Sequence, residues 1–199
     1  KQLSYLPATA RSAHTAYLVI QRYLAKYYQR EPRWFGDHSP LMTYFATLLA
    51  EEYPQARFLF LVRDPRAVVN SYSQFTGSPY QQPAQAIRRW AESARVYTQL
   101  QQQVPSRLML LHYETLVTKP EQTIAEIRHF LELEMAATTQ PTGLLSPSLN
   151  PEHLEHLEQI NEEVNTRSIG KWQQELKAES LKLVRQRLAH PASQFGYNL

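Results

Sequence analysis

Residues 58–62, Phe-Leu-Phe-Leu-Val, form an unbroken apolar run that ends on the charged turn Arg63-Asp64-Pro65-Arg66. A run of this length reads as a strand buried on both faces. Pro65 suits the first turn of a helix, and Val68, Val69, Tyr72 and Phe75 continue at helical spacing. A buried strand feeding straight into a helix constrains the chain to an α/β arrangement with parallel strands. It also puts Arg63 at the strand's carboxyl end, the edge at which open α/β sheets bind ligands. Ser71 lies about two turns into the helix by helical periodicity. A guanidinium, a hydroxyl and a helix N-terminus at one edge can clamp a phosphate. On this segment alone, an Arg63 that merely pairs with a local acid fits equally well.

The remaining pattern repeats the alternation of strand and helix. Tyr17, Leu18, Leu24, Tyr27 and Tyr28 lie at helical spacing within 9–30, a helix ended by Glu31-Pro32. Arg33 to Gly36 is a short strand candidate. A helix over 40–52 follows, with Leu41, Tyr44, Phe45, Leu48 and Leu49 on one face. The strand 57–62 and the helix 65–75 come next. After a loop over 76–83, a long amphipathic helix runs through 84–103 on Ile87, Trp90, Ala94, Tyr97 and Leu100, and Pro105 breaks it. A second strand spans 107–112, and a helix over 120–133 is buried through Ile124, Ile127, Phe130 and Leu131. Residues 136–151 read as a loop, and helices are expected around 152–164 and 179–190. The fold class is therefore α/β, a parallel sheet flanked by helices with right-handed crossovers. Such a domain usually has more than the three strands placed.

Composition bounds the function. The chain has 199 residues, 43% of them hydrophobic, which suits one globular domain with a real core. A net charge of +3, spread along the chain, is too mild for nucleic acid. No apolar run reaches membrane-spanning length. The absence of cysteine leans toward a reducing, cytoplasmic setting.

The segment 58–75 resembles the 3′-phosphate-binding segment of the sulfotransferases, which use 3′-phosphoadenosine 5′-phosphosulfate (PAPS) as sulfuryl donor. Further motifs follow in family order. Trp34-Phe35-Gly36-Asp37-His38-Ser39-Pro40 resembles the family's Gly-Asp-Lys-Thr-Pro-type segment. Tyr53-Pro54-Gln55-Ala56-Arg57-Phe58 resembles the lead into the phosphate-binding strand, and His112-Tyr113-Glu114-Thr115-Leu116 the Tyr-Glu-Asp-Leu segment. Ile169-Gly170-Lys171-Trp172 and Phe195-Gly196-Tyr197 match as well. The resemblance implies a sulfotransferase fold related to P-loop NTPases. It implies PAPS binding by Arg63 and Ser71 at the 3′-phosphate, Tyr113 beside the adenine, and the Arg167–Gly170 turn closing over the phosphate, with Lys171 as an alternative to Arg167. The family's Gly- and Ser/Thr-rich loop for the 5′-phosphosulfate has no counterpart upstream of residue 34. Residues 1–199 are accordingly expected to be a single sulfotransferase domain that is incomplete at its N-terminus.

Where many relatives carry Lys, this chain has His38. Sulfotransferases of cyanobacterial polyketide synthases, the curacin and olefin synthase type, resemble it in this Asp-His-Ser-Pro context. They imply a β-hydroxyacyl chain on an acyl carrier protein as acceptor. Sulfuryl transfer, like phosphoryl transfer, needs an aligned acceptor, neutralised charge and a sink for the acceptor's proton. An imidazole suits that last task at neutral pH, so His38 is the expected general base; a helix-capping histidine is the plainer alternative. Asp37 can orient the imidazole or cap the helix. Ser39 reads as a cap.

The other histidines read as bland. His153 and His156 lack companion ligands, so no metal site is expected; His112 ends a strand where it could touch nucleotide, packing being the plainer reading, and His14, His129 and His190 form no pattern. Two other function classes stay open: a nucleotide kinase of the P-loop type, and a non-catalytic module that keeps only the fold.

Overall fold

The computed structural model describes residues 23, 26, 27, 36–38, 42–133 and 165–199. The expected helices over 9–30 and 152–164 and the loop over 136–151 lie largely or wholly outside these residues. So do Ser39, His14, His153, His156 and most of the 33–36 strand; Gly36 itself is irregular. Tyr23, Lys26 and Tyr27 are helical, and the two tyrosine rings stack 6.2 Å apart.

The described elements follow in the order α1 (Met42–Glu52), β1 (Phe58–Val62), α2 (Pro65–Gln74), α3 (Pro83–Gln103), a 3-10 turn (Pro105–Arg107), β2 (Leu108–His112), α4 (Tyr113–Thr118), α5 (Pro120–Leu131), α6 (Trp172–Glu175) and α7 (Ala178–Ser193). The two strands are parallel, in register from Phe58 opposite Leu108 to Val62 opposite His112. The architecture is thus the expected α/β fold, with two strands in its parallel sheet among the described residues. The short helices α4 and α6 were not expected from periodicity, because one or two turns carry no repeat to detect.

The chain divides into two compact units, 1–56 with 95–107, and 57–94 with 108–199. In the first, Ala46 and Ala50 of α1 are buried with Val96, Tyr97, Leu100 and Val104. The expected apolar face of α1 is instead exposed at Tyr44, Phe45 and Leu48. Helical spacing shows which residues share a face, not which face turns inward. The Arg107 guanidinium closes the end of α1 by donating to the carbonyls of Ala50, Tyr53 and Ala56 at 2.9–3.0 Å. A cation on carbonyls at and just beyond a helix C-terminus gives them a charged donor and opposes the helix dipole.

In the second unit the core gathers Val62, Val69, Ile87, Trp90, Leu111, Val184, Leu188 and Phe195. Phe195 stacks on Phe60 at 6.4 Å and meets Trp90 edge-on at 5.6 Å, a favoured aromatic geometry. β1 is not buried on both faces as its sequence suggests: Leu59 and Leu61 are exposed while Val62 is buried. A continuous apolar run contains no alternation, so it cannot reveal that only one pleat face is covered.

Helix α5 departs similarly. Only Thr123 is buried there, and Ile124 is exposed. The helix ends on Glu132 in the left-handed region at φ 53, where the amides of Glu132 and Leu133 return to the carbonyls of His129 and Arg128. Arg57 bonds the Phe130 carbonyl and pairs with Glu132, which holds that cap without a glycine. Helix α7 runs one turn beyond its expected stop at residue 190. Pro191 sits in its last turn, where little of the hydrogen-bond ladder remains to be broken.

Leu188 is fully buried. Leu188→Ala should cost about 2–5 kcal/mol through lost transfer energy and the cavity left behind. Urea unfolding monitored by circular dichroism checks this, with the midpoint falling at unchanged slope.

Candidate functional site

The parallel register sets the site. Because Val62 lies opposite His112, the next residues, Arg63 and Tyr113, leave the sheet side by side at its carboxyl edge. The Arg63 guanidinium lies 4.3 Å from the centroid of the Tyr113 ring, a cation–π contact that also fixes the plane of the guanidinium. Arg63 Nη2 donates to the Ser168 carbonyl at 3.1 Å, and the Tyr113 hydroxyl lies 2.7 Å from Ser168 Oγ.

Asp64 organises the turn that follows. Its Oδ1 accepts from the Arg66 amide at 2.8 Å, which caps α2. Its carboxylate also receives Nε and Nη2 of Arg66, the closest contact being 2.7 Å. Arg66 then lies 4.1 Å from the Trp172 ring and donates to the Asn198 carbonyl. Asn70 of α2 donates to Glu175 Oε2 at 2.6 Å. Three side chains from one turn and helix, Arg63, Arg66 and Asn70, therefore fasten the 165–176 segment to the strand end.

A cavity of about 230 Å³ opens here, with Arg63, Tyr72, Arg89, Trp90, Tyr113 and Phe195 among its walls. Arg63 and Arg89 bring two positive charges to it, and no carboxylate belongs to the described lining residues. The arrangement suits an anion that carries an aromatic or apolar body. Among the described residues there is no cluster of His, Asp, Glu or Cys able to hold a metal ion.

The expected site residues fare differently. Arg63 and Tyr113 are brought together. The Arg167–Gly170 turn joins them, but through Ser168, which no sequence pattern marks. Arg167 itself is exposed, its amide bonded to Asn165 Oδ1. Gly170 adopts φ +77, which side-chain-bearing residues rarely do. Lys171 is exposed. Ser71 lies on the exposed side of α2 and does not line the cavity. Arg89, buried at 9% exposure, was hidden in the sequence by the surrounding core pattern of α3. His38 belongs to the other compact unit, where it is exposed in an irregular stretch.

A parallel strand pair with an arginine-bearing turn at its carboxyl end, capped into the next helix by Asp64, places the chain in the α/β class, with two arginines in the wall of the cavity at that edge. The Sulfotransferase family profile matches residues 5–137, and the chain belongs to that family. It is 31% identical over 115 residues to protein-tyrosine sulfotransferase of Drosophila melanogaster, covering 55% of this chain and 23% of that protein. With protein-tyrosine sulfotransferase 2 of Gallus gallus it shares 26% over 153 residues, covering 70% of this chain and 40% of that one. The chain thus spans less than half the length of these two relatives. Two solved structures share the fold at 24% identity across 100% of this chain. They are the sulfotransferase domain from the curacin biosynthetic pathway, at TM-score 0.58 over 77% of that domain, and the one from the Synechococcus PCC 7002 olefin synthase, at 0.64 over 73%.

Behind the edge, the Tyr197 hydroxyl donates to Glu114 Oε2 at 2.7 Å. Burial first, and then this bond to a carboxylate, raises the Tyr197 pKa far above the ordinary tyrosine value of 10.0. Below pH 10.0 the folded and unfolded chains both keep the proton; above it only the unfolded chain loses it, so stability falls as pH rises. Tyr53 and Tyr97 are shifted upward too, mainly by burial. Tyr197→Phe should therefore reduce, without abolishing, the loss of unfolding free energy above pH 10.0, as read from urea titrations across the alkaline range.

Proposed function

We propose that this chain, as part of a single sulfotransferase domain, moves a sulfuryl group from PAPS to an acceptor hydroxyl, with a β-hydroxyacyl chain on an acyl carrier protein as acceptor. The observation that carries the reading is the Arg63 guanidinium at the end of β1, held over the Tyr113 face beside a cavity with a second buried arginine. A guanidinium has five N–H donors. The Ser168 carbonyl takes one, which leaves others for phosphate oxygens. The described residues therefore fit the 3′-phosphate half of the donor, with the ring of Tyr113 available at the same edge for the adenine. The Arg167–Gly170 turn and Ser71 flank it in this reading. PAPS supplies the activated sulfuryl group.

On the acceptor side, His38 takes the proton of the attacking hydroxyl, with Asp37 orienting its ring. The Asp37-His38-Ser39-Pro40 segment supports the carrier-bound acceptor, as does the likeness of fold to the curacin-pathway and olefin synthase domains. A second reading, transfer to a tyrosine of a polypeptide, is favoured by the curated relatives, which are protein-tyrosine sulfotransferases. A cytoplasmic location belongs to the same proposal, supported by the cysteine-free sequence. No described helix is long and apolar enough to cross a membrane.

Intact-mass analysis after incubation with PAPS separates the readings. A gain of one sulfuryl group on β-hydroxyacyl carrier protein supports the first, and a gain on a tyrosine peptide the second. Arg63→Ala should weaken binding of adenosine 3′,5′-bisphosphate by roughly 2–4 kcal/mol, the loss of a charged, multiply bonded contact. Calorimetry with unchanged affinity would remove Arg63 from the site. His38→Ala should lower kcat by about 10²–10⁴-fold while leaving nucleotide affinity nearly intact. A near-normal kcat would return His38 to a role at the start of a helix.

A further inference from the structure

The peptide group between Arg63 and Asp64 is held at both of its ends. Its carbonyl, belonging to Arg63, accepts from Trp90 Nε1 at 3.0 Å. Its N–H, belonging to Asp64, donates to Glu114 Oε1 at 3.0 Å. The second oxygen of Glu114 accepts from the Tyr197 hydroxyl at 2.7 Å. Since Tyr197 has a single proton and gives it to Glu114, its 3.3 Å contact with His112 Nδ1 has the imidazole N–H donating to the phenol oxygen. The bonds thus converge on Glu114: His112 donates to Tyr197 and Tyr197 to one carboxylate oxygen, while the Asp64 amide of the Arg63 turn donates to the other. The His112–Tyr197–Glu114 bonds run head to tail and so polarise one another, while Glu114, held at one oxygen by Tyr197, presents its other oxygen to the Asp64 amide.

The orientation of a peptide plane fixes the backbone dihedrals on either side of it, and so the direction in which the Arg63 side chain leaves the chain. We propose that Tyr197 is a positioning residue for anion binding: through Glu114 it locks the Arg63–Asp64 peptide plane, opposed by Trp90, and so aims the Arg63 guanidinium. The inference rests on the donor reading for its functional consequence, but the clamp can be measured without ligand. It gives the last turn of the chain, Phe195-Gly196-Tyr197, a task beyond covering the core. The buried Phe195 anchors that turn between Phe60 and Trp90, which brings Tyr197 within reach of Glu114.

The test uses Tyr197→Phe, which keeps the ring and removes only the hydroxyl, with Glu114→Gln as a second variant. Amide hydrogen exchange in the absence of ligand should show Asp64 exchanging roughly tenfold faster in Tyr197→Phe, with core amides of α7 unchanged. Affinity for adenosine 3′,5′-bisphosphate should fall about threefold to tenfold, as for loss of one hydrogen bond. In an Arg63→Ala background the same substitution should cost less than about twofold, because residues acting through one group are not additive. Unchanged exchange at Asp64 overturns the clamp. Equal losses of affinity in both backgrounds overturn its action through Arg63 while the donor reading stands. Failure of the wild-type chain to bind the nucleotide, with Asp64 still responding, overturns the donor reading and leaves the clamp in place.

Discussion

The parallel register of β1 and β2 is the constraint on which the rest depends. Parallel strands carry their carboxyl ends to the same edge, and the pairing of Val62 with His112 aligns the first residue after each. Arg63 and Tyr113 meet for that reason alone, though fifty residues separate them in the chain. A shift of the register by one residue would turn each strand's apolar set to the other face and separate the guanidinium from the ring. Burial of Val62 and Leu111 and the aromatic contacts of Phe60 and Phe195 hold that register.

Charge at the strand end is largely satisfied locally. Asp64 caps α2 and pairs with Arg66, both side chains largely withdrawn from solvent at 12% and 15% exposure. A pair in that setting is costly to desolvate and stabilises only when its remaining polar groups find partners. The Trp172 face and the Asn198 carbonyl complete the set for Arg66. Arg63 is thereby relieved of Asp64, the nearest acid in sequence and the obvious candidate for a purely structural partner. It is held instead by a carbonyl and an aromatic ring, which fix its direction without neutralising its charge. The guanidinium therefore keeps its charge at the cavity wall, unlike that of Arg66, which is spent on Asp64.

Much of the frame was legible in the sequence. The strands, the long helices and the importance of the turn at Arg63 followed from apolar runs, helical spacing and the placement of Pro65, because these signals are local and repeat. Burial was less legible. Leu59, Leu61, Tyr44, Phe45 and Ile124 are exposed although their apolar character suggested otherwise, since coverage is decided by elements distant in sequence. The short helices α4 and α6 and the left-handed cap at Glu132 left no trace for a periodic reading.

By itself the sequence determined the α/β class, the parallel alternation and an arginine at the carboxyl end of a strand, because each follows from chemistry within a few neighbouring residues. Only the tertiary structure decided what surrounds that arginine. Ser168 is an ordinary serine until its carbonyl meets Arg63 across more than a hundred residues. Arg89 is one of many arginines until it is found buried in a cavity wall. Glu114 and Tyr197 form a clamp only once the last turn of the chain folds back onto the strand ends. Hydrogen bonds and charge contacts act over a few ångströms of space, and it is the packing of the core that brings such distant residues within that range.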